Sequence, residues 1–530
     1  MRRYIVALAL ILASLPAGVW AQNDNYRGPL GAASPEPATR PADEGADSRS
    51  LLGVEGAIED ASITRHELTA GGETLSYEAT AAHMLMKDEE GKLKARIFFM
   101  AYLLNRSDNA DPADRPVTFV FNGGPGAASV WLHLGTAGPR RIDLNHEGEP
   151  PAPPYRLVEN RHSWLDATDL VFIDPVGTGY SRPGKGEKGE QFYGVQQDIA
   201  SVADFIRLWI TQYRRWASPL FLAGESYGTT RAAGLSEHLL DRHGIALNGI
   251  MLISTVLDFG TLQPGNGNDL PYVLFLPTYT ATAFHHGKLG KGLQQDLGRT
   301  LREVQHFAVG EYATALIRGA AMSPEQRAAV VQSLARYTSL APEFIDRADL
   351  RIAPGVFQKQ LLSDQRRIIG RFDTRITGFE PDPIASRPEY DPSLSRYLPV
   401  YSANFNDYVR RVLGFRSDLP YEVLSSKVHP WKFGESGAGY LFVADDLRSA
   451  LIKNPHMKVL FASGYFDLAT PFFATVHTID HLDVGPELRA NIVEKYYLGG
   501  HMMYHHQPTL ARLHEDIVSF IRVALPGSGS

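Results

Sequence analysis

Residues 219–240 read PLFLAGESYGTTRAAGLSEHLL: an apolar run, a serine between two glycines, then a stretch compatible with helix. The run LFLAG (220–224) is short, apolar and ends on glycine, which predicts a strand buried on both faces. A serine at the turn from such a strand into a helix is held above the sheet, with its Oγ free of clashes, when the flanking residues are glycines. Ser226 is therefore the candidate nucleophile.

Outward from this turn, similar runs recur as VTFVF (117–121), LVFID (170–174), IMLIS (250–254), VLFAS (459–463) and VEKYYL (493–498). Ile199, Val202, Phe205, Ile206, Trp209, Ile210 and Tyr213 fall at helical spacing, as do Leu510, Leu513, Ile517, Phe520 and Ile521. Strands alternating with amphipathic helices predict an α/β protein with a mostly parallel central sheet and helices on both faces. RIFFMAYLL (96–104) is a candidate antiparallel edge strand. Between about 258 and 438 the strand rhythm gives way to helical patterns (Leu301 to Ile317, Pro324 to Tyr337) and many aromatics, which predicts a large inserted helical cap. The expected division is a core in two parts, 51–257 and 439–525, around a cap at 258–438, with a short tail at 526–530.

A serine hydroxyl needs a base within hydrogen-bond reach. Asp467 follows the run VLFAS, and His501 follows VEKYYL directly behind two glycines. If each run is a parallel strand, both residues lie at the same sheet edge as Ser226, in the chain order Ser, Asp, His of the α/β-hydrolase fold. His505 and His506 compete with His501, and Asp480 and Asp483 with Asp467, but these follow no strand so directly. Acyl transfer also requires donors for the oxyanion. FNGGPG (121–126) closes a strand with glycines that leave backbone N–H groups free, and the N–H after the nucleophile, on Tyr227, is the second donor expected. A phosphate loop at 121–126 is disfavoured by the lack of any G-K-[ST] or Gly-x-Gly-x-x-Gly spacing.

The 530 residues contain no cysteine, which excludes disulfides, a thiol nucleophile and cysteine lipidation. A net charge of −7 argues against nucleic acid as a partner. Residues 1–21 begin Met-Arg-Arg, continue with an apolar core and end Val-Trp-Ala, which reads as a signal peptide; a Pro/Ala/Asp-rich leader follows at 22–50. Export to the periplasm or the extracellular space is expected, with no stable membrane insertion after cleavage. The adjacent pairs His285-His286 and His505-His506 point apart in regular structure, so neither a metal nor a cofactor is expected.

FNGGPGAAS (121–129), DLVFIDPVGTGYS (169–181), GESYG (224–228), SGYFD (463–467) and GGHM (499–502) resemble, in order, the hallmark blocks of the serine carboxypeptidases, here a bacterial secreted member. The resemblance implies hydrolysis of C-terminal residues of peptides through an acyl-enzyme on Ser226, with Asp467 and His501 completing the triad. It implies an oxyanion hole from the N–H groups of Gly124 and Tyr227, and a site for the substrate's free carboxylate at Asn122 and Glu225. Gly123 and Met502 are candidate pocket residues. Thr136 aligns with the glutamate that usually partners the one at Glu225, so Glu225 lacks the like-charged neighbour that would raise its pKa, which weakens the case for an acidic optimum. Met503 to Pro508 also departs from the family's pattern. An esterase or acyltransferase on the same scaffold would need the same triad. A non-catalytic binding protein of hydrolase fold would not need to keep it.

Overall fold

The computed structural model describes residues 56–106, 111, 114–434 and 439–525. The expected signal peptide (1–21), leader (22–50) and tail (526–530) lie outside these residues.

Nine strands form the path of the central sheet: β1 (Ile58–Ala70), β2 (Glu73–Lys87), β3 (Leu93–Leu104), β4 (Val117–Phe121), β5 (Asp169–Ile173), β6 (Leu220–Glu225), β7 (Gly249–Ile253), β8 (Lys458–Gly464) and β9 (Ile492–Tyr497). Their spatial order is β1-β2-β3-β5-β4-β6-β7-β8-β9, and the short strand Arg182–Pro183 pairs beside them with β3. From β5 to β9 every neighbouring pair is parallel, while β1, β2 and β3 add an antiparallel edge. This is the α/β-hydrolase fold.

Strand periodicity assigns the side chains to the two faces. Val120, Phe221, Ala223, Met251, Ile253, Leu460 and Ala462 pack with the final helix, Gln507–Val523, through Leu510, Leu513 and Ile517. The alternate residues Phe119, Phe121, Leu222, Ile250, Leu252, Val459 and Phe461 pack with helices Val195–Gln212, Tyr227–His243 and Ala444–Lys453. The sheet is thus covered on both sides, and most of its central strands are buried throughout, as their unbroken apolar runs predict. β9 departs from that expectation. It is the outer strand, and Val493 is 39% exposed.

Between β7 and β8 lie most of the remaining helices, among them Leu270–His285, Pro324–Thr338 and Pro392–Arg411. Leu270–His285 and Pro324–Thr338 belong to a third apolar cluster that also takes in Phe466, Leu468, Phe472 and Phe473, whereas Pro392–Arg411 packs through Tyr397, Val400, Tyr401 and Phe405 into the cluster of the final helix. The periodic stretch Leu301 to Ile317 is not one helix: a π-helical turn, Ala308–Tyr312, joins Leu297–Phe307 to Ala313–Arg318. Among the described residues no helix is long and apolar enough to cross a membrane.

Candidate active site

The turn from β6 into the helix Tyr227–His243 holds Ser226 at φ 61°, ψ −130°, a conformation L-residues rarely adopt. The turn is pinned on both sides. Ser226 N–H donates to the Ile253 carbonyl at 3.0 Å, and the Ser226 carbonyl accepts from the Thr229 N–H at 2.8 Å and its hydroxyl at 2.7 Å. Glycine is required by close approach. A Cβ on Gly123 would run into the backbone of Tyr227, and one on Gly228 would lie 2.9 Å from the Phe121 carbonyl. The end of β4 and the elbow therefore touch backbone to backbone.

Asp467 follows β8 and His501 follows β9, the second and third strands beyond β6 in the sheet. His501 Nδ1 lies 2.7 Å from Asp467 Oδ2, and both residues are buried. Asp467 is fully engaged: Oδ1 accepts from the N–H groups of Ala469 (2.7 Å) and Thr470 (3.1 Å), and Oδ2 also accepts the Thr470 hydroxyl at 2.7 Å. A carboxylate oxygen accepts from a ring N–H, so a neutral His501 with its proton on Nδ1 toward Asp467 keeps Nε2 as a free acceptor. Burial works to lower the His501 pKa, but the charge and hydrogen bond of Asp467, with the Glu225 charge, carry it above its ordinary value. Ser226, His501, Glu225, Asn122, Gly123, Gly124, Tyr227 and Met502 all line one cavity of about 170 Å³. Tyr227 sits in the first turn of its helix, where an N–H has no intrahelical acceptor.

None of the rival residues lines this cavity. His505 is buried with Nε2 2.8 Å from the Tyr401 hydroxyl, and His506 Nδ1 pairs with Thr509. Asp480 ends the helix Phe472–Asp480, and Asp483 pairs with Arg448 at the surface.

Asn122 and Glu225 are in direct contact. Leu132 N–H donates to Asn122 Oδ1 at 3.0 Å, which turns the amide so that Nδ2 donates to Glu225 Oε1, also at 3.0 Å. Tyr504 donates to Glu225 Oε2 at 2.7 Å. Burial pushes the Glu225 carboxyl up to about 7, against the His501 charge and the Tyr504 and Asn122 hydrogen bonds, which favour the anion. This corrects the expectation drawn from Thr136. Lacking a carboxylate at position 136 does not return Glu225 to ordinary acidity, because removal from water is the largest cause of the rise and the Asp467 charge adds to it. Thr136 is itself buried, with a hydroxyl that finds no partner, and the neighbouring Gly135 leaves the room that Tyr504 and Tyr401 occupy.

Four contributors are invisible in the motifs. Thr470 braces Asp467 and lies 3.3 Å from His501 Nδ1. Tyr504 caps Glu225. Arg231, fully buried, bonds the Asn122 carbonyl at 2.6 Å and Asp198 at 2.8 Å and lies over the Phe121 and Tyr227 rings, joining β4 to the elbow helix. Phe372 comes from the segment between β7 and β8 and sets its ring 5.1 Å from His501. Its carbonyl accepts the His501 N–H at 2.5 Å. Away from the cavity, His146, Glu147 and His506 bring three ligand-type atoms within 4.8 Å of one another, a grouping that the divergence of the adjacent His505-His506 pair does not reveal.

Comparison with known proteins adds to this geometry. Serine carboxypeptidase-like 5 of Arabidopsis thaliana is 27% identical over 160 residues, 29% of this chain and 33% of its own length. The pheromone-processing carboxypeptidase KEX1 of Saccharomyces cerevisiae strain S288c is 31% identical over 147 residues, 26% of this chain and 19% of its own. The matches thus span a third or less of these relatives. A crystal structure of a prohormone-processing carboxypeptidase from Saccharomyces cerevisiae overlays with a TM-score of 0.49 and 18% identity, covering 84% of this chain and 91% of that one. The sequence profile of the serine carboxypeptidases matches residues 85–507, most of the length, and so the chain belongs to the serine carboxypeptidase family.

Proposed function

We propose that this protein is an exported bacterial serine-type carboxypeptidase that releases C-terminal residues from peptides. The observation that carries the reading is the sharing of one cavity by the Ser226 elbow, His501 with Asp467 behind it, and the buried Asn122–Glu225 pair. Ser226 Oγ attacks the scissile carbonyl as His501 Nε2 takes its proton, and the N–H groups of Gly124 and Tyr227 receive the oxyanion. His501 then passes the proton to the leaving amine, and water, activated by the same ring, releases the acyl group. Asn122 Nδ2 and a protonated Glu225 donate to the substrate's terminal carboxylate, a charge-assisted contact that the neutral carbonyl of an amide or ester end makes only more weakly. In the proposed division, 51–257 and 439–525 carry this machinery and the cap, 258–438, closes over it.

The pH dependence tests the carboxylate site. A free-acid substrate needs His501 neutral and Glu225 protonated. Its kcat/KM should fall on the acid side as His501 takes up a proton, and on the alkaline side as Glu225 ionises above about 7. The matching ester should lose the alkaline limb, and Glu225→Gln, which keeps an N–H donor, should lose it on free acids too. Asn122→Ala and Glu225→Ala should each weaken cleavage of free-acid peptides by about 10- to 100-fold more than ester hydrolysis, the worth of a hydrogen bond to a charged group. Equal losses on both substrate kinds would remove these residues from carboxylate binding. An esterase or acyltransferase preference would show in the same panel as activity on blocked esters without turnover of free-acid dipeptides.

A further inference from the structure

Among the residues lining the cavity, Arg371 brings a cation that the mechanism does not use. It stands just past the short strand Arg367–Ile369, in the segment between β7 and β8. Its backbone is held at both ends. The Arg371 N–H donates to Asp391 Oδ2 at 2.7 Å, and its carbonyl accepts the N–H of Leu468, the residue after Asp467, at 2.9 Å. Its guanidinium lies 5.2 Å from the centre of the Phe372 ring, the same ring that packs on His501. The backbone of Arg371 is thus held next to Phe372, and its guanidinium lies over that ring with none of its own donors used in these contacts.

Those donors are exposed and, among the described residues, form no ion pair with a carboxylate. The nearby Asp391 carboxylate is already engaged: Oδ2 takes the Arg371 N–H, and Oδ1 caps the helix Pro392–Arg411 through the Leu394 N–H and takes the Ser393 hydroxyl. Glu225, the acidic residue in the cavity lining, is tied to Asn122 and Tyr504. A planar guanidinium with open donors, at the mouth of a cleft and next to the reacting groups, is built to take a carboxylate in a two-pronged contact.

We propose that Arg371 is a specificity residue that selects peptides carrying an acidic side chain beside the scissile bond. The proposal rests on the carboxypeptidase reading and adds a second anion to the one bound at Asn122 and Glu225. Since the guanidinium is exposed, the selection is electrostatic and weakens with salt.

The test uses N-blocked dipeptides with Glu against Gln, and Asp against Asn, at the last and the penultimate position, on the wild-type protein, Arg371→Ala and Arg371→Glu. Labelling of Ser226 by a fluorophosphonate, equal in all three, checks that the site is intact independently of peptide recognition. The expected result is a wild-type kcat/KM about 2- to 5-fold higher for the acidic member of a pair, the worth of an ion pair to an exposed guanidinium. That ratio should shrink at high salt, vanish in Arg371→Ala with the neutral peptides near their wild-type rates, and turn toward lysine in Arg371→Glu. Equal wild-type rates on Glu and Gln peptides would overturn the proposal. So would an Arg371→Ala loss that is the same on acidic and neutral peptides, which would place Arg371 on the terminal carboxylate instead. If free-acid peptides are inert while blocked esters turn over, the carboxypeptidase reading fails by itself, and the Glu-to-Gln ratio on N-blocked amino-acid esters decides Arg371.

Discussion

Ser226→Ala is expected to lower kcat/KM on peptides and esters alike by about 10⁴- to 10⁶-fold, the range found when a serine nucleophile is removed from a working triad. The substitution is clean. Alanine keeps the Cβ, so it inherits the φ of 61° without a new clash, and the Ile253 and Thr229 hydrogen bonds that pin the turn use the backbone at position 226 or the Thr229 side chain, none of them Ser226 Oγ. The thermal midpoint should therefore barely move while fluorophosphonate labelling disappears. A variant that keeps a tenth of the activity would sink the acyl-enzyme mechanism.

Asp467→Asn should cost about 10⁴-fold in kcat, through the tautomer of His501. Two backbone N–H groups converge on Oδ1, so the asparagine carbonyl is held there and its NH₂ replaces Oδ2. That NH₂ then faces the Thr470 hydroxyl and His501 Nδ1, both of which now meet a donor. The imidazole responds by moving its proton to Nε2, the atom that must accept from Ser226. The lost carboxylate charge also leaves burial unopposed by its main counterweight, so the acid limb of the pH profile should shift to lower pH. Kinetics on an ester and a free-acid peptide across pH checks both effects. A loss below about tenfold would mean that Asp467 does not fix the ring.

Much of the fold is legible because it is written locally. The runs at 117–121, 220–224 and 459–463 coincide with β4, β6 and β8 to within a residue or two, since strands buried on both faces must be apolar throughout. Ser226, Asp467 and His501 could be nominated because each follows such a strand. The hairpin of β1 and β2 escaped notice: β1 buries little on either face, so IEDASITRHELTA carries no clear alternation. What surrounds the candidate site was illegible for another reason. Tyr401, Arg371 and Phe372 reach it from the segment between β7 and β8 by contacts that span about a hundred residues or more of chain, and no local pattern encodes which face of that segment meets His501. The acidity of Glu225 was misjudged because a missing neighbour can be seen in a sequence, whereas a missing solvent cannot.

The dryness around Glu225 has one more consequence. Where two carboxyls crowd each other, mobile ions crowd in as well and soften the repulsion, so the acidity of such a pair drifts with salinity. The Glu225 carboxyl, shut away behind Tyr504 and Asn122, owes its shift first to burial, and the His501 and Asp467 charges it also feels are buried, where mobile ions screen little. Proton release at this position should hold steady from dilute buffer to brine, while any preference owed to the exposed Arg371 fades over the same range.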